Sequence, residues 1–250
     1  ILMLGHIRDI LVISNEDTIP LYQKLFGDGS HLGLKIEYAI QAAPNGIAEA
    51  FIIGEEFIGN DSVTLILGDN IFYGNLSFFY NGIKNNEGAT IFGYRVTDPQ
   101  RYGIVEFNKE GKAISIEEKP KEPKSNFAVP GLYIYNNDVV NISKNMKPSA
   151  RGELEITDVN KEYLKRGQLN VEKIGRGVAW LDTGTPEALL QASNFFGVIE
   201  ARQGLKVSCI EEIAYSRDFI TYNQLKTVVN EMPNSLYKDY LTKFLNEAEH

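Results

Sequence analysis

Hydrophobic and polar positions alternate along the first part of the chain in patterns typical of short strands and helices. Apolar or alternating runs over 10–14, 34–40 and 63–67 predict strands. Helical spacing and boundary residues predict helices over 18–27 and 45–58. Strands that alternate with helices in this way indicate an α/β fold with a largely parallel sheet.

The middle of the chain has a different pattern. Segments over 90–96, 103–107 and 113–118 follow one another with only turn residues between them, which predicts a β-rich lobe. Beyond the lobe, the pattern predicts helices over 158–166 (with Thr157 as N-cap), 186–201, and two more from 224 to the end. No repeat or flexible linker interrupts the chain, so we expect one compact domain.

Composition narrows the class of protein. The chain has 250 residues with 25 basic and 33 acidic side chains, and its net charge of −8 argues against nucleic-acid binding. The single cysteine excludes an internal disulfide and fits a reducing compartment. No apolar run approaches the roughly 18 residues of a membrane span. We therefore expect a cytoplasmic enzyme or binding protein with neither a membrane nor a nucleic-acid partner.

Two carboxylates follow apolar strands. Asp69 follows the apolar run 63–67 and Gly68. Asp182 directly follows the run 177–181 and precedes a helix that begins at Thr185-Pro186. Ligands of open α/β sheets bind at the carboxyl ends of the strands, and Mg²⁺ typically uses one or two carboxylates together with substrate phosphates. The pair predicts a metal site, although either residue alone is equally well explained as the start of a turn or of a helix.

Two basic residues are candidates for phosphate binding. Lys119 ends a predicted strand, and Pro120 is expected to force an extended backbone there so that the lysine projects. Arg151 lies beside Gly152 and offers a bidentate clamp. The alternatives are a solvated surface lysine and an arginine paired with Glu153 and Glu155.

Five motifs occur in order along the chain: Leu67-Gly68-Asp69-Asn70, Arg101-Tyr102-Gly103, Glu117-Glu118-Lys119-Pro120, the segment 149–158, and Trp180-Leu181-Asp182-Thr183-Gly184-Thr185. Together they resemble the glucose-1-phosphate thymidylyltransferases, a family of sugar nucleotidyltransferases. The resemblance covers nearly the whole chain. It implies a Rossmann-like nucleotidyltransferase fold with a mixed, mostly parallel sheet flanked by helices, a β-rich sugar-binding lobe and C-terminal helices. It also implies transfer of a thymidylyl group from dTTP to α-D-glucose 1-phosphate, with Mg²⁺ as cofactor and pyrophosphate as the second product.

The resemblance assigns roles residue by residue. It implies catalytic roles for Asp69, Lys119, Arg151 and Asp182, with metal binding by Asp69 and Asp182 and phosphate binding by Lys119 and Arg151. It implies nucleoside contacts at Gln41, Gly46 and Gly68. Sugar contacts match Asn70, Tyr102, Gly103, Glu118, Val129 and Tyr133, and Tyr73 with Gly74 match a second, regulatory nucleotide site.

The resemblance also bears on organisation and assembly. It implies a nucleotide-binding part over 1–89, a sugar-binding lobe over 90–185 and a helical part over 186–250, all within a single domain. Members of the family form homotetramers, so we expect the same here. The family's opening strand and glycine-rich phosphate loop are absent, and the chain starts at Ile1 in a segment typical of a helix end. We therefore expect about 40 residues, one strand–loop–helix unit, to precede Ile1 in the native protein.

Two other functions remain open. One is a sister nucleotidyltransferase that uses UTP or CTP, because dTTP and UTP differ only by a methyl group, worth about 1–3 kcal/mol. The other is a sugar-nucleotide-binding protein without catalytic activity, if the triphosphate loop is truly absent.

Overall fold

A computed structural model describes residues 1–248 of the chain. These residues form two compact units: residues 1–40 together with 193–248, and Gln41–Ala192. All candidate site residues from the sequence fall within the second unit. The boundary between the units lies inside one long helix, Pro186–Gln203.

Eleven strands and ten helices are present in the described residues. The strands are β1 Asp9–Ser14, β2 Lys35–Ile40, β3 Val63–Ile66, β4 Asn70–Tyr73, β5 Ala89–Arg95, β6 Gly103–Phe107, β7 Ala113–Glu118, β8 Phe127–Ala128, β9 Leu132–Tyr135, β10 Leu169–Lys173 and β11 Ala179–Asp182. The helices are α1 Ile19–Phe26, α2 Glu49–Ile53, α3 Glu55–Ile58, α4 Ser77–Lys84, α5 Asp138–Asn145, α6 Ile156–Lys165, α7 Pro186–Gln203, α8 Ile210–Ser216, α9 Tyr222–Glu231 and α10 Leu236–Ala248. Short 3₁₀ turns lie at Met3–Gly5, Ser30–Leu32 and Pro99–Arg101.

The main sheet confirms a mixed α/β architecture but not the mostly parallel pairing. Its strand order is β3-β9-β5-β8-β6-β7, with β10 paired to β5. Within the described residues only β1–β2 and β5–β10 are parallel, and every other strand pair is antiparallel. A short turn such as the one between β6 and β7 can join only antiparallel neighbours. The other antiparallel pairs are formed by strands that are not consecutive in the chain, so the order of elements along the sequence does not fix their direction.

A separate two-stranded sheet positions the residues of the candidate site. Strand β11 runs antiparallel to β4, with Asp182 opposite Asn70 and Trp180 opposite Phe72. Trp180 packs with Ile104 and Ala128 of the main sheet, and its ring lies 5.1 Å from that of Tyr102. This pairing places Asp182 next to Asn70, the residue that follows Asp69.

Each unit has its own apolar core. In the second unit, helices α2, α5 and α6 pack with the main sheet through residues such as Phe51, Val139 and Tyr163, all of which are buried. In the first unit, Leu225 and Leu241 of the C-terminal helices pack with Leu32 and Leu34. Complete burial of a side chain of this size stabilises a fold by about 1.5–3 kcal/mol.

Two local predictions are corrected. The single helix expected over 45–58 is two short helices, α2 and α3, which meet at Gly54, while residues 45–48 form a loop. Gly at a helix end is common because it has no Cβ to constrain the backbone. Thr157 is not the N-cap of α6, because the helix starts at Ile156 after Glu155 and the threonine hydroxyl bonds elsewhere.

Among residues 1–248, no helix is both long and apolar enough to cross a lipid bilayer.

Candidate active site

Asp69 and Asp182 meet at Gly184. A Cβ placed on Gly184 would lie 3.1 Å from Oδ1 of Asp182 and 3.3 Å from Oδ2 of Asp69, so the two oxygens are no farther apart than the sum of those distances. The backbone N–H of Gly184 donates to Oδ1 of Asp182 at 3.1 Å. The structure therefore brings the two carboxylates together around a residue without a side chain.

Asn70 fixes the carboxylate of Asp69. Its side-chain oxygen accepts two hydrogen bonds, from the indole N–H of Trp180 at 2.7 Å and from the backbone N–H of Gly131 at 2.9 Å. The opposite side of the amide, Nδ2, donates to Oδ1 of Asp69 at 2.7 Å. Because two donors occupy the oxygen, the amide cannot be reversed, and its NH₂ group must face the carboxylate.

The donor set fits one hard divalent cation. Both carboxylates lack an ion-pair partner among the described residues, and Asp69 lies exposed beside Gly68. No cluster of three or more His, Cys, Asp or Glu side chains in residues 1–248 is arranged to hold a metal. A two-carboxylate site suits Mg²⁺, which keeps several waters and takes further oxygens from substrate phosphates.

Glu118 is the last residue of β7, where this strand pairs with β6. Thr157, which is buried, donates from its hydroxyl to Oε2 of Glu118 at 2.6 Å. Gly103 faces Glu118 across the strand pair, and a Cβ there would lie 3.2 Å from Oε2 and 4.0 Å from the Cβ of Val129. Three residues expected from sequence, namely Gly103, Glu118 and Val129, thus lie together.

The carboxylates of this site affect the pKa of two nearby tyrosines. Burial and, to a smaller extent, the negative charges of Glu118 and Asp69 raise the pKa of Tyr133 above its ordinary value. Burial also raises the pKa of Tyr102, with Asp98 and Asp182 adding to the shift and Arg101 opposing it. Both phenols are neutral hydroxyls at physiological pH, able to donate or accept hydrogen bonds.

Lys119 is exposed and has an unusual backbone. Its φ is +42°, where an extended backbone before Pro120 was expected, so that prediction is wrong. The N–H of Lys119 donates to the carbonyl of Tyr102 at 3.0 Å, which continues the β6–β7 pairing by one residue and turns the chain. Its ammonium group makes no hydrogen bond or ion pair with any described residue. Non-glycine residues at positive φ cost about 1–3 kcal/mol and often occur at functional sites.

Arg151 is paired with Glu155, the ordinary alternative noted from sequence. Its Nε donates to Oε1 at 3.0 Å and Nη2 to both carboxylate oxygens at 2.8 Å, and this pairing raises the pKa of the guanidinium. Nη1 makes no bond to a described residue. Since a guanidinium has five N–H donors, Arg151 retains donors for an anion while Glu155 holds it.

Gln41 and Gly46 lie in one loop. Nε2 of Gln41 donates to Glu49 at 2.7 Å and to the carbonyl of Gly46 at 3.2 Å. Because a carboxylate only accepts, this pairing places Oε1 of Gln41 on the other side, where no described residue bonds it. Gly46, with φ +107°, packs so tightly that a Cβ would lie 2.4 Å from the carbonyl oxygen of Leu154.

Gly68 leaves open space beside the backbone. A Cβ on Gly68 would meet no atom within 4 Å. Tyr73 and Gly74 lie at the other end of β4, where Gly74 has φ +123° and a Cβ would approach the carbonyl of Gly177 to 2.5 Å. Tyr73 and Gly74 are therefore separated from Asp69 by the length of β4.

Sequence reasoning gave no role in the site to two residues that the geometry makes important there. Trp180 was recognised only as part of a motif, yet its indole N–H anchors Asn70. Thr157 was assigned to a helix cap, yet its hydroxyl holds Glu118. The partners are 110 and 39 residues apart in sequence, so no local spacing could have indicated either bond.

Comparison with known proteins agrees with this arrangement. Residues 1–212 match the family model described as nucleotidyl transferase. A glucose-1-phosphate thymidylyltransferase of Mycolicibacterium smegmatis is 52% identical over 246 residues, 98% of this chain and 85% of the relative. The enzyme of that name from Neisseria gonorrhoeae is 49% identical over 99% of this chain and 86% of the relative.

Solved structures give the same picture. A Bacillus anthracis crystal structure assigned as a glucose-1-phosphate thymidylyltransferase, in complex with a sucrose, aligns with TM-score 0.72 and 40% identity over 78% of each chain. A UDP-glucose pyrophosphorylase with UDP-glucose aligns with TM-score 0.68 over 79% of this chain and 83% of the other, at 23% identity, which supports the fold alone. The chain therefore belongs to the nucleotidyl transferase family, together with the glucose-1-phosphate thymidylyltransferases that it resembles.

Proposed function

We propose that the protein transfers a thymidylyl group from dTTP to α-D-glucose 1-phosphate and releases pyrophosphate. The observation that carries the proposal is the meeting of Asp69 and Asp182 at Gly184, in a chain about half identical to enzymes of that name. An oxygen of the sugar phosphate attacks the α-phosphorus of dTTP in line, and pyrophosphate leaves. No protein nucleophile is required, because the reaction depends on positioning and on neutralising charge.

Asp69 and Asp182 would hold the cation, for which we propose Mg²⁺. The cation supplies positive charge to the phosphate oxygens on which negative charge develops. The protein holds the two carboxylates at a fixed separation so that both face the same space. Asn70 performs this task for Asp69, and the N–H of Gly184 for Asp182.

The sugar phosphate would bind around Glu118. We assign sugar contacts to Asn70, Tyr102, Gly103, Glu118, Val129 and Tyr133. Glu118, held by Thr157, can accept a hydrogen bond from a sugar hydroxyl without losing its own support. Lys119, whose ammonium group is unpaired, would bind the phosphate as a point charge. Arg151 would use its remaining N–H groups on the phosphates while Glu155 fixes its position.

The base would bind at the loop of Gln41 and Gly46, with Gly68 giving the nucleoside room to approach. The free acceptor of Gln41, Oε1, suits the N3–H of thymine or uracil. Cytosine has an acceptor at N3, so this geometry favours dTTP and UTP over CTP. We further propose a homotetramer in the cytoplasm, with a second nucleotide site at Tyr73 and Gly74 and with the nucleotide-binding, sugar-binding and helical parts within one domain.

Pyrophosphate release with each nucleotide tests the proposal. Purified full-length protein is supplied with glucose 1-phosphate and Mg²⁺ together with dTTP, UTP or CTP. We expect the highest kcat/KM with dTTP, a lower value with UTP and a much lower one with CTP. A clear preference for UTP or CTP would overturn the thymidylyl assignment. Binding of dTDP-glucose without turnover of any nucleotide would favour a sugar-nucleotide-binding protein instead.

A further inference from the structure

Thr183 joins the two carboxylate segments. Its backbone N–H donates to the carbonyl oxygen of Asp69 at 2.8 Å, and its hydroxyl donates to the same oxygen at 2.9 Å. Thr183 lies between Asp182 and Gly184 in sequence. The main chain of Asp69 is therefore tied directly to the residue that follows Asp182, across a sequence separation of 114 residues.

This tie acts on a different part of Asp69 from the bonds described above. Asn70 holds the side chain of Asp69, whereas Thr183 holds its backbone. The bond from Asn70 restricts rotation of the Asp69 side chain but not movement of its backbone. The bonds from Thr183 restrict the backbone, so the two sets of bonds together fix the position of the carboxylate. Asp69 lies between β3 and β4, and Thr183 directly follows β11, so the bonds of Thr183 extend the β4–β11 pairing by one residue toward the end of β3.

We propose that Thr183 is a positioning residue whose hydroxyl sets the separation of the Asp69 and Asp182 carboxylates for a divalent cation. The inference rests on the proposed function, because it assigns the metal to this pair. A cation with few protein ligands depends strongly on the preorganisation of those few. Loss of a group that orients a metal ligand typically costs about 10- to 100-fold in metal affinity or activity.

The hydroxyl can be removed without changing the shape of the side chain. Thr183→Val deletes the hydroxyl but keeps the backbone N–H bond, so we expect an effect near the lower end, about tenfold. Thr183→Ser keeps a hydroxyl and should therefore retain most of the metal affinity that Thr183→Val loses. Thr242→Val is the matched control, since the Thr242 hydroxyl also donates to a backbone carbonyl, that of Lys238, at 2.8 Å, in helix α10.

The single tryptophan provides a readout that needs no catalysis. Trp180 is the one tryptophan in the sequence, and it bonds to Asn70, the neighbour of Asp69. Tb³⁺ is a hard ion that binds carboxylate oxygens and emits when a nearby excited indole transfers energy to it. Titration of the full-length protein with Tb³⁺ alone, with excitation of Trp180, therefore measures binding at this pair.

We expect Thr183→Val to raise the Tb³⁺ concentration at half-maximal emission about tenfold, with Thr183→Ser and Thr242→Val close to wild type. In turnover assays Thr183→Val should raise the Mg²⁺ requirement and leave KM for glucose 1-phosphate nearly unchanged. Equal Tb³⁺ affinity in Thr183→Val and wild type would overturn the inference, as would a lower thermal unfolding midpoint as the sole effect. A wild-type titration without emission, or one that Asp69→Asn does not change, would instead overturn the metal assignment itself.

Discussion

At the scale of single residues, Gly184 leaves open the space that the two carboxylates share. Its N–H orients Asp182, and its lack of a side chain leaves the space that both carboxylates face. The sequence places Asp69 and Asp182 at strand ends, which was sufficient to predict that they act together. It could not predict Asn70 as the residue that orients Asp69, because that bond depends on donors from Trp180 and Gly131 far along the chain.

Gly184→Ala should therefore lower turnover while the fold is retained. The new methyl group would lie closer to both carboxylate oxygens than ordinary contacts allow and would occupy the space between them. We expect a loss of about 10- to 100-fold, the range typical of mutations that disturb the orientation of metal ligands. Steady-state rates and thermal unfolding should be compared with those of Gly197→Ala, where a Cβ meets no atom within 4 Å. A Gly184→Ala enzyme as active as the Gly197→Ala enzyme would contradict the account.

Lys119→Ala should weaken binding of the sugar phosphate more than that of the nucleotide. The lysine's ammonium group makes no bond to a described residue and is assigned to the phosphate of glucose 1-phosphate. Loss of a hydrogen bond to a charged group costs about 1.5–3 kcal/mol, or roughly 10- to 100-fold in KM for that substrate. Lys121→Ala, at a nearby exposed lysine, is the control. Equal increases in KM for both substrates would show that Lys119 is structural or binds the triphosphate.

At the scale of elements, the site depends on contacts between segments that the sequence pattern describes poorly. The apolar spacing over 45–58 predicted one helix, whereas residues 45–48 instead form a loop that packs on Leu154. Leu154 donates its N–H to Asn45 at 2.6 Å and accepts from Ala48 at 3.1 Å, so the loop and the segment before α6 hold each other. Periodicity reports one helix face but not the tertiary bonds that unwind its first turn.

Gly46→Ala tests this loop through stability. Gly46 combines φ +107° with a backbone oxygen 2.4 Å from where a Cβ would lie, so alanine must shift the loop. Gly59→Ala is the matched control, because Gly59 also has a positive φ, +53°, but has no atom within 4 Å of a Cβ. The backbone strain alone costs about 1–2 kcal/mol. Urea unfolding should therefore show a larger loss of free energy of unfolding for Gly46→Ala, and equal losses would refute the tight contact.

At the scale of the whole molecule, the strands that the sequence predicted lie close to their predicted positions, whereas several further strands, among them β4, β9 and β10, and the strand pairing were not predicted. The predicted strands over 103–107 and 113–118 coincide with β6 and β7, because short runs bounded by turn residues have few alternatives. The direction of pairing depends on which strands become neighbours. Strand β9 lies between β3 and β5 and is antiparallel to both, a placement that alternation of apolar residues cannot indicate.

Substitution of each of the two carboxylates in turn tests the metal-assisted transfer most directly. Asp69→Asn and Asp182→Asn keep the shape of each side chain and an oxygen to accept the bond from Asn70 or Gly184, so both variants should fold like wild type. Each loses a charged metal ligand, worth several kcal/mol of transition-state stabilisation, and tenfold in rate corresponds to about 1.4 kcal/mol. Pyrophosphate release from dTTP and glucose 1-phosphate should therefore fall by at least about 100-fold in each variant with an unchanged unfolding midpoint. A wild-type rate in either variant would contradict the assignment of Asp69 and Asp182 to the catalytic metal.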